Sequence, residues 1–536
     1  MNKLWYGDNL TIMQGMGKHS VDLIYLDPPF NSKQNYNLLY TTMTGKPVPE
    51  QVEAFCDTWQ MDAQKEAIAR TMPVLMREHG IDDYYVDFWR LWMQALRHTQ
   101  PHLLAYLIFM VQRLLHMKSI LRPTGSIYLH CDPTASHYIK VMMDGIFGHD
   151  NFRNEIIWKR TSAHSSARRF GPVHDTILFY TAGDRYTWNK LFQPYDQSYT
   201  DAFYTHVDPD GRRWRRSDMT GAGTRNGATG EVWRGIDVTG KGRHWAWPPA
   251  DMERMDKDGR LHWPARQGGM PMLKRYLDEQ LGVPAQDVID DIAPMHNLSK
   301  ERLGYPTQKP IKLLDRIVRA STNKGDIVFD PFCGCGTSVY AAQQAERSWI
   351  GCDIAILSIK LVRDTLSSDR FRLVEGHDYI VDGIPTSVEG AQVLFDKDPA
   401  TFQNWFVERV GGFPMQRKSA DRGIDGRIYF ETRAGLREMM IQVKGGKHVR
   451  PTDVRDLRGV LEREQNAEMA GFLSITPATK AMRDEAAEAG TYEYAGIQYP
   501  RIQFLTTRDV LEGKREFHMP TRVNTKISTG QQALAL

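Results

Sequence analysis

Apolar residues over the first 190 positions follow two rhythms. Val21-Asp-Leu-Ile-Tyr-Leu26 is a short apolar run that stops at Asp27-Pro28-Pro29, where proline ends a strand's hydrogen-bond ladder. Ser126 to His130, Ile156 to Trp158 and Thr176 to Tyr180 are runs of the same kind. Leu103 to Leu121 instead predicts a buried helix, closed by Pro123 and Gly125. Strands alternating with helices predict an α/β unit with a largely parallel sheet.

The helical period is lost between His206 and Arg275. That stretch holds fourteen Lys and Arg against nine Asp and Glu, and five of the chain's 13 tryptophans. It predicts an irregular, basic, aromatic insert. Order returns near Tyr305. Pro310 stands where a helix begins, and Ile311, Leu314, Ile317 and Val318 share one face. A strand from Asp326 to Asp330, a glycine-rich turn, a helix from Ser338 and a second strand ending at Asp353 follow. Near residue 375 a new unit starts, with strands at Arg427 to Phe430 and Met439 to Val443. The polar tail after about 516 is expected to be loose.

Length and composition narrow the classes. A chain of 536 residues suggests two to four domains, and 41% hydrophobic with 25% charged residues is an ordinary globular balance. The longest apolar run, Leu103 to Val111, is about half the ~18–20 residues that span a bilayer, so no membrane partner is expected. Five cysteines form no disulfide framework, and no Cys or His cluster has zinc spacing. A reducing, cytoplasmic location is the expectation. A net charge of +3 leaves nucleic acid open, because a local basic surface suffices.

Two segments carry candidate chemistry. In Phe329-Asp330-Pro331-Phe332-Cys333-Gly334-Cys335-Gly336-Thr337, Gly334 and Gly336 let a backbone turn sharply and approach a ligand. Asp353 lies at the end of the next strand, where a carboxylate can accept hydrogen bonds from two ribose hydroxyls. Asp27-Pro28-Pro29-Phe30 follows its own strand. The Asp27 carboxylate and a carbonyl of the stiff Pro28-Pro29 pair can accept both hydrogens of an exocyclic amine, and Phe30 offers a flat face to a base outside its stack.

Taken together these motifs resemble the amino-group DNA methyltransferases in their permuted β-class order, over about residues 1–370. Asp27 to Phe30 resembles the catalytic motif and Phe332-x-Gly334-x-Gly336 the cofactor motif. Pro306-Thr307-Gln308-Lys309-Pro310 looks like the segment preceding the cofactor strand, which implies that Thr307 and Gln308 contact the methionine part. Gly7-Asp8-Asn9 resembles the segment near the cofactor adenine, although Asp8 equally suits a plain turn. The resemblance implies a Rossmann-like fold, S-adenosylmethionine as cofactor (with Asp330 in its site), and duplex DNA as partner. An aromatic after DPP leans to adenine N6 over cytosine N4. The insert then corresponds to the target-recognition region, with Arg212, Arg213, Arg215 and Arg216 as its densest DNA-binding cluster; the alternative is a solvated basic face over a small tryptophan core.

A second constellation lies at Gly423-Ile-Asp425-Gly426 and Ile441-Gln442-Val-Lys444. A hairpin brings Asp425 and Gln442 to one edge, where oxygen ligands can hold Mg²⁺, and Lys444 can orient water and stabilise phosphate charge. This resembles the Mrr-like branch of restriction-endonuclease-fold domains, over about 395–510. That branch often has an acidic residue on the preceding helix. Here Gln403 occupies the nearest position, with Glu408 as a substitute. An inert DNA-binding module is the alternative.

The expected division is a catalytic half at 1–190, a recognition insert at 191–300, a cofactor half at 301–375, a linker at 376–395, the nuclease-like domain at 396–515 and a tail at 516–536. A homodimer is left open. A DNA-binding protein with a residual cofactor fold, or an RNA substrate, are the competing readings.

Overall fold

The computed structural model describes residues 2–29, 36–38, 40–41, 52–55, 59–161, 170–266, 269–295, 299, 301–303, 305, 308–415, 423–432, 435–446, 449–464, 466–520 and 526–527. Phe30 and Thr307 lie outside them.

Among the described residues, nine strands form the main sheet: β1 (Asn2–Tyr6), β2 (Val21–Leu26), β3 (Leu121–Cys131), β4 (Phe152–Lys159), β5 (His174–Thr181), β6 (Val288–Ile289), β7 (Ile327–Asp330), β8 (Ser348–Asp353) and β9 (Tyr379–Asp382). Their spatial order is β6-β4-β5-β3-β2-β7-β8-β1-β9. The run from β3 to β9 is parallel throughout, and β5 is antiparallel to both β3 and β4. Every residue of β2 is buried, as expected for a strand covered on both faces. Its one charged residue, Asp22, is satisfied by Arg122 Nη1 at 2.7 Å and by the Ile327 N–H at 2.8 Å.

The predicted buried helix runs Pro101–Ile120, with proline in its first turn, and sinks most of its side chains into the core beside β2 and β3. Among the described residues it alone is long and apolar enough to cross a membrane, and its surroundings are protein. Shorter helices connect the parallel strands. We call Asn9–Gln14 α1, Thr337–Gln344 α2, Ile356–Ser367 α3 and Pro399–Arg409 α4.

The chain separates into two compact units, residues 1–189 with 287–536, and residues 190–286. The smaller unit therefore ends before the expected 300, because Val288–Ile289 returns to the main sheet as β6. The smaller unit has a four-stranded sheet and its own core, in which Trp233 and Trp245 are buried with Met219, Met252 and Leu273. The tryptophan-core alternative for the insert thus describes these two indoles.

The stretch expected as a linker, 376–395, is structured. Tyr379–Asp382 is the edge strand β9, paired with β1, and Val388–Lys397 is a helix. The next residue after β9, Gly383, has φ +84°, and a Cβ there would lie 2.0 Å from the Tyr6 carbonyl oxygen. Only glycine fits so close to β1. The C-terminal domain adds a five-stranded sheet containing β10 (Gly426–Thr432), β11 (Gly435–Lys444) and β12 (Ala467–Ser474). One continuous apolar cluster joins Leu4, Val328 and Trp349 to Tyr379, Trp405, Phe406 and Ile441. The start of the expected loose tail also belongs to it, since Phe517 is buried against Gly471 and Ile441.

Because this core is shared, Trp405→Ala is expected to cost ~3–5 kcal/mol and to lower the unfolding midpoint of both domains in one transition. Urea unfolding followed by circular dichroism checks this. A loss under about 1 kcal/mol, or a C-terminal domain melting alone, contradicts it.

Candidate functional site

The topology brings four chain segments to one edge. β2, β7, β8 and β1 are neighbours, and at their carboxyl ends stand Asp27, Asp330, Asp353 and Asp8. They border a cleft with two lobes. Tyr25, Asp27, Lys309, Asp330 and Cys335 line the first; Asp8, Trp59, Phe109 and Arg113 line the second; Pro29, Phe332 and Asp353 line both.

Asp353 is held by two backbone donors, Gly334 N–H to Oδ2 and Ala355 N–H to Oδ1, each at 2.8 Å. Burial nevertheless pushes its pKa up to about 6. Asp330 accepts from the Phe332 N–H at 2.9 Å and from the Ser338 hydroxyl, and burial pushes it up to about 7. Both oxygens of Asp330 therefore brace the turn. Gly334 and Gly336 have φ +50° and +86°. A Cβ on Gly336 would sit 2.7 Å from Val362 Cγ2, so this glycine lets α2 start against α3. The turn leaves the cleft open where an adenosine could lie, and the acidic rim suits a cationic sulfonium. The residues present fit S-adenosylmethionine.

Two cations organise the acidic rim. Lys309 Nζ donates to Asp27 Oδ2. Buried Arg113 makes two 3.0 Å bonds from Nη2 to Asp8 and one of 2.7 Å from Nε to Asn9 Oδ1, stacking 3.5 Å from the Phe109 ring centroid. Asp8 also caps α1 through the Leu10 N–H at 2.7 Å, so its turn role and its place in the cleft coexist. The Gln308 side chain closes its own loop, donating to the Glu301 carbonyl and accepting from the Leu303 N–H, while it borders the first lobe. Neither Lys309 nor Arg113 stands out in the sequence as a site residue. Lys309 lies inside the quoted PTQKP segment, but nothing local ties it to Asp27. A further chain sits under the cleft: the Tyr25 hydroxyl lies 2.9 Å from His130 Nδ1, and His130 Nε2 lies 3.1 Å from Asp175 Oδ2.

The arginine cluster of the insert is divided. Arg212 pairs with Asp278 and Glu279 and stacks on Tyr276 at 3.9 Å; Arg213 donates to the Tyr204 and Thr200 carbonyls. On the strand Arg213–Ser217, Arg213 and Arg215 point to one face and Arg216, which is exposed, to the other. The four residues do not form one free basic patch.

In the C-terminal domain, Gly426 pairs with Ile441, so Asp425 lies beside Gln442, and Lys444 shares the face of Gln442 two residues on. Asp425 Oδ2 accepts from the Val443 N–H at 2.7 Å, and Lys444 Nζ lies 3.4 Å from Asp453 Oδ1. Gln442 Oε1 is buried with no hydrogen-bond partner among the described residues. An orphaned oxygen beside a carboxylate fits a hard divalent cation such as Mg²⁺. Glu408 does not serve this edge. It accepts instead from the Ile356 N–H at 3.3 Å, at the start of α3.

Residues 21–363 match the DNA methylase family model, N6_N4_Mtase. The chain belongs to that family. Residues 385–498 match a restriction endonuclease model, Mrr_cat. The type II methyltransferase M.EcaI of Enterobacter cloacae is 34% identical over 259 residues, covering 48% of this chain and 56% of that protein. The type III restriction-modification enzyme StyLTI Mod subunit of Salmonella typhimurium is 26% identical over 370 residues, covering 65% and 51%. The chain thus spans about half the length of these curated relatives. A crystal structure of a DNA modification methylase from Thermus thermophilus, complexed with S-adenosyl-L-methionine, aligns over 72% of this chain and 100% of its own, with 15% identity and a TM-score of 0.33.

The raised carboxyl of Asp330 sets a pH dependence. Its folded pKa exceeds that of the unfolded chain, so the folded state holds the extra proton, and stability falls as pH rises from about 4 to about 7. Asp330→Asn escapes that loss. The stability of the variant relative to the native protein is expected to improve by about 2 kcal/mol between pH 5 and pH 8. Urea titrations at both values check it, and a constant difference contradicts it.

Proposed function

We propose that this methylase transfers a methyl group from S-adenosylmethionine to N6 of adenine in double-stranded DNA, and that its C-terminal module is a Mg²⁺-dependent DNA endonuclease, in a restriction-modification or phage-defence role. The observation that carries the first part is the gathering of Asp27, Asp330, Asp353 and Asp8 at the ends of four adjacent strands. S-adenosylmethionine supplies the methyl group as an activated sulfonium. Asp353 accepts the ribose hydroxyls, and the glycine turn admits the cofactor backbone-close. Asp8, fixed by Arg113, borders the adenine lobe.

Asp27 performs the chemistry on the acceptor. An exocyclic amine is a poor nucleophile because its lone pair is delocalised into the ring. The Asp27 carboxylate and the Pro28 or Pro29 carbonyl accept its two hydrogens, which localises the lone pair toward the incoming carbon. As the N–C bond forms, Asp27 takes up the proton the amine loses, directly or through water. Lys309 fixes the orientation of that carboxylate. The preference for adenine rests on the aromatic that follows DPP. Among the four expected arginines, exposed Arg216 is the one we assign to DNA contact.

The reading of the C-terminal module rests on the shared face of Asp425, Gln442 and Lys444. Asp425 and Gln442 Oε1 would hold the cation, whose charge offsets that of the scissile phosphate. Lys444 orients the attacking water.

Purified Asp27→Ala is expected to lose ~10³-fold or more of methyl transfer to DNA while binding S-adenosylmethionine within about threefold of the native protein. Retained transfer contradicts the catalytic assignment. Lys444→Ala is expected to abolish Mg²⁺-dependent cleavage and leave methylation unchanged. If cleavage persists in Lys444→Ala, the nuclease assignment is wrong.

A further inference from the structure

The turn that presents Asp353 is braced from outside the methylase segment. Asp353 Oδ1 accepts from the Ala355 N–H, and the next N–H, that of Ile356, donates to Glu408 Oε2. Ile356 is the first residue of α3, whose early N–H groups have no partner within the helix. Asp353, which lines the cleft, holds the N–H of the N-cap Ala355, and Glu408 holds the first N–H of the helix itself. Glu408 lies on α4, beyond residue 363, where the methylase match ends, and inside the 385–498 endonuclease match.

The same helix also reaches the other wall of the adenosine lobe. Buried Tyr6, the last residue of β1, donates its hydroxyl to the Thr401 carbonyl. The residue after Tyr6, Gly7, donates its N–H to the Asp353 carbonyl at 3.0 Å, and Asp8 follows. One helix therefore contacts the end of β1, just before Asp8, and the start of α3, just after Asp353. The contact is packed as well as polar: Phe402, Trp405 and Phe406 of α4 lie in the same buried cluster as Tyr6 and Ile359.

We propose that Glu408 is a positioning residue of the cofactor site, by which a helix of the endonuclease-like module fixes the turn that presents Asp353 to the ribose. The proposal rests on the reading of Asp353 as the ribose acceptor. Its physical content is that, without Glu408, the Ile356 N–H must find another acceptor, and the turn that aims Asp353 loosens. The catalytic edge at Asp27 is carried by a different strand, so the chemical step at saturating cofactor is untouched. A carboxyl also suits the place for a second reason. Burial pushes Glu408 up to about 8, so at neutral pH it accepts the hydrogen bond mainly as the uncharged acid and adds little charge behind Asp353.

This predicts a specific split in methylation kinetics on the full chain. Glu408→Leu keeps the packing and removes the acceptor. It is expected to raise the KM for S-adenosylmethionine ~10-fold, with kcat at saturating cofactor within about twofold of native. Glu408→Gln keeps the acceptor without the charge and is expected to stay within about threefold of native in KM. Ile356→Pro removes the donor, together with part of a side chain that packs on the shared core, so Ile356→Ala, which trims the side chain and keeps the N–H, is its control; proline is tolerated at the first helical position, and Ala355 before it is already extended, with φ −93° and ψ 123°. It is expected to reproduce the Glu408→Leu defect, and the two changes combined are expected to cause that loss once rather than twice.

An unchanged KM in Glu408→Leu, a matching fall in kcat, or additive effects of the two changes overturns the proposal. If Glu408→Leu does not fold, Ile356→Pro alone decides, through the same split between KM and kcat. Asp353→Ala, titrated alongside, separates the two layers of the argument. Native-like cofactor affinity in Asp353→Ala removes the ribose reading itself. Weakened affinity there, with no defect in Glu408→Leu or Ile356→Pro, removes only the role of Glu408.

Discussion

Four adjacent parallel strands that end in carboxylates impose the constraint around which the methylase domain is organised. Asp27, Asp330, Asp353 and Asp8 border one cleft, and two of them are buried strongly enough to titrate near neutrality, at about 7 and about 6. Such an arrangement is unfavourable unless each oxygen is answered. Backbone N–H groups answer Asp353, a hydroxyl and an N–H answer Asp330, Arg113 answers Asp8, and Lys309 answers Asp27. The cleft that results has an acidic rim in which each carboxylate is held by a partner, which suits a sulfonium ligand.

The partners explain the order of the chain. β2 comes early in sequence and β7 late, yet they are neighbours in the middle of the sheet. Lys309 reaches Asp27 across 282 positions, and the helix that follows it, Ile311–Ser321, packs on α2. The C-terminal module continues the same logic. Its apolar residues share one cluster with those of the main sheet, and β9, the edge strand of that sheet, leads into it. The segment that matches the restriction endonuclease model thereby holds the first N–H of α3 without lining the cleft.

The legible parts of the sequence were those whose meaning is local. An apolar run stopped by Asp27-Pro28-Pro29, and glycines at 334 and 336 between a strand and a helix, announce strand ends and a tight turn wherever they occur. The 17-residue spacing from Asp425 to Gln442 likewise needs only a hairpin. What depended on distant partners was not legible. The Arg113–Asp8 clamp joins a buried helix to a loop 105 positions away, and within an apolar helix Arg113 has no distinguishing pattern. Tyr379–Asp382 is only four residues long, so its stretch reads as a linker until β1 is beside it. The arginines at 212 and 213 read as a basic patch because their partners, Asp278, Glu279 and two carbonyls, come from elsewhere in the fold.

The central claim is that the acidic edge transfers a methyl group to an adenine in duplex DNA. Single-molecule sequencing of genomic DNA from cells expressing the native chain or Asp27→Ala tests it most directly. A new N6-methyladenine motif in the native sample alone is the predicted result. A motif on cytosine N4 contradicts the choice of base, and the absence of any new mark, repeated with purified protein, cofactor and unmodified DNA, contradicts the account.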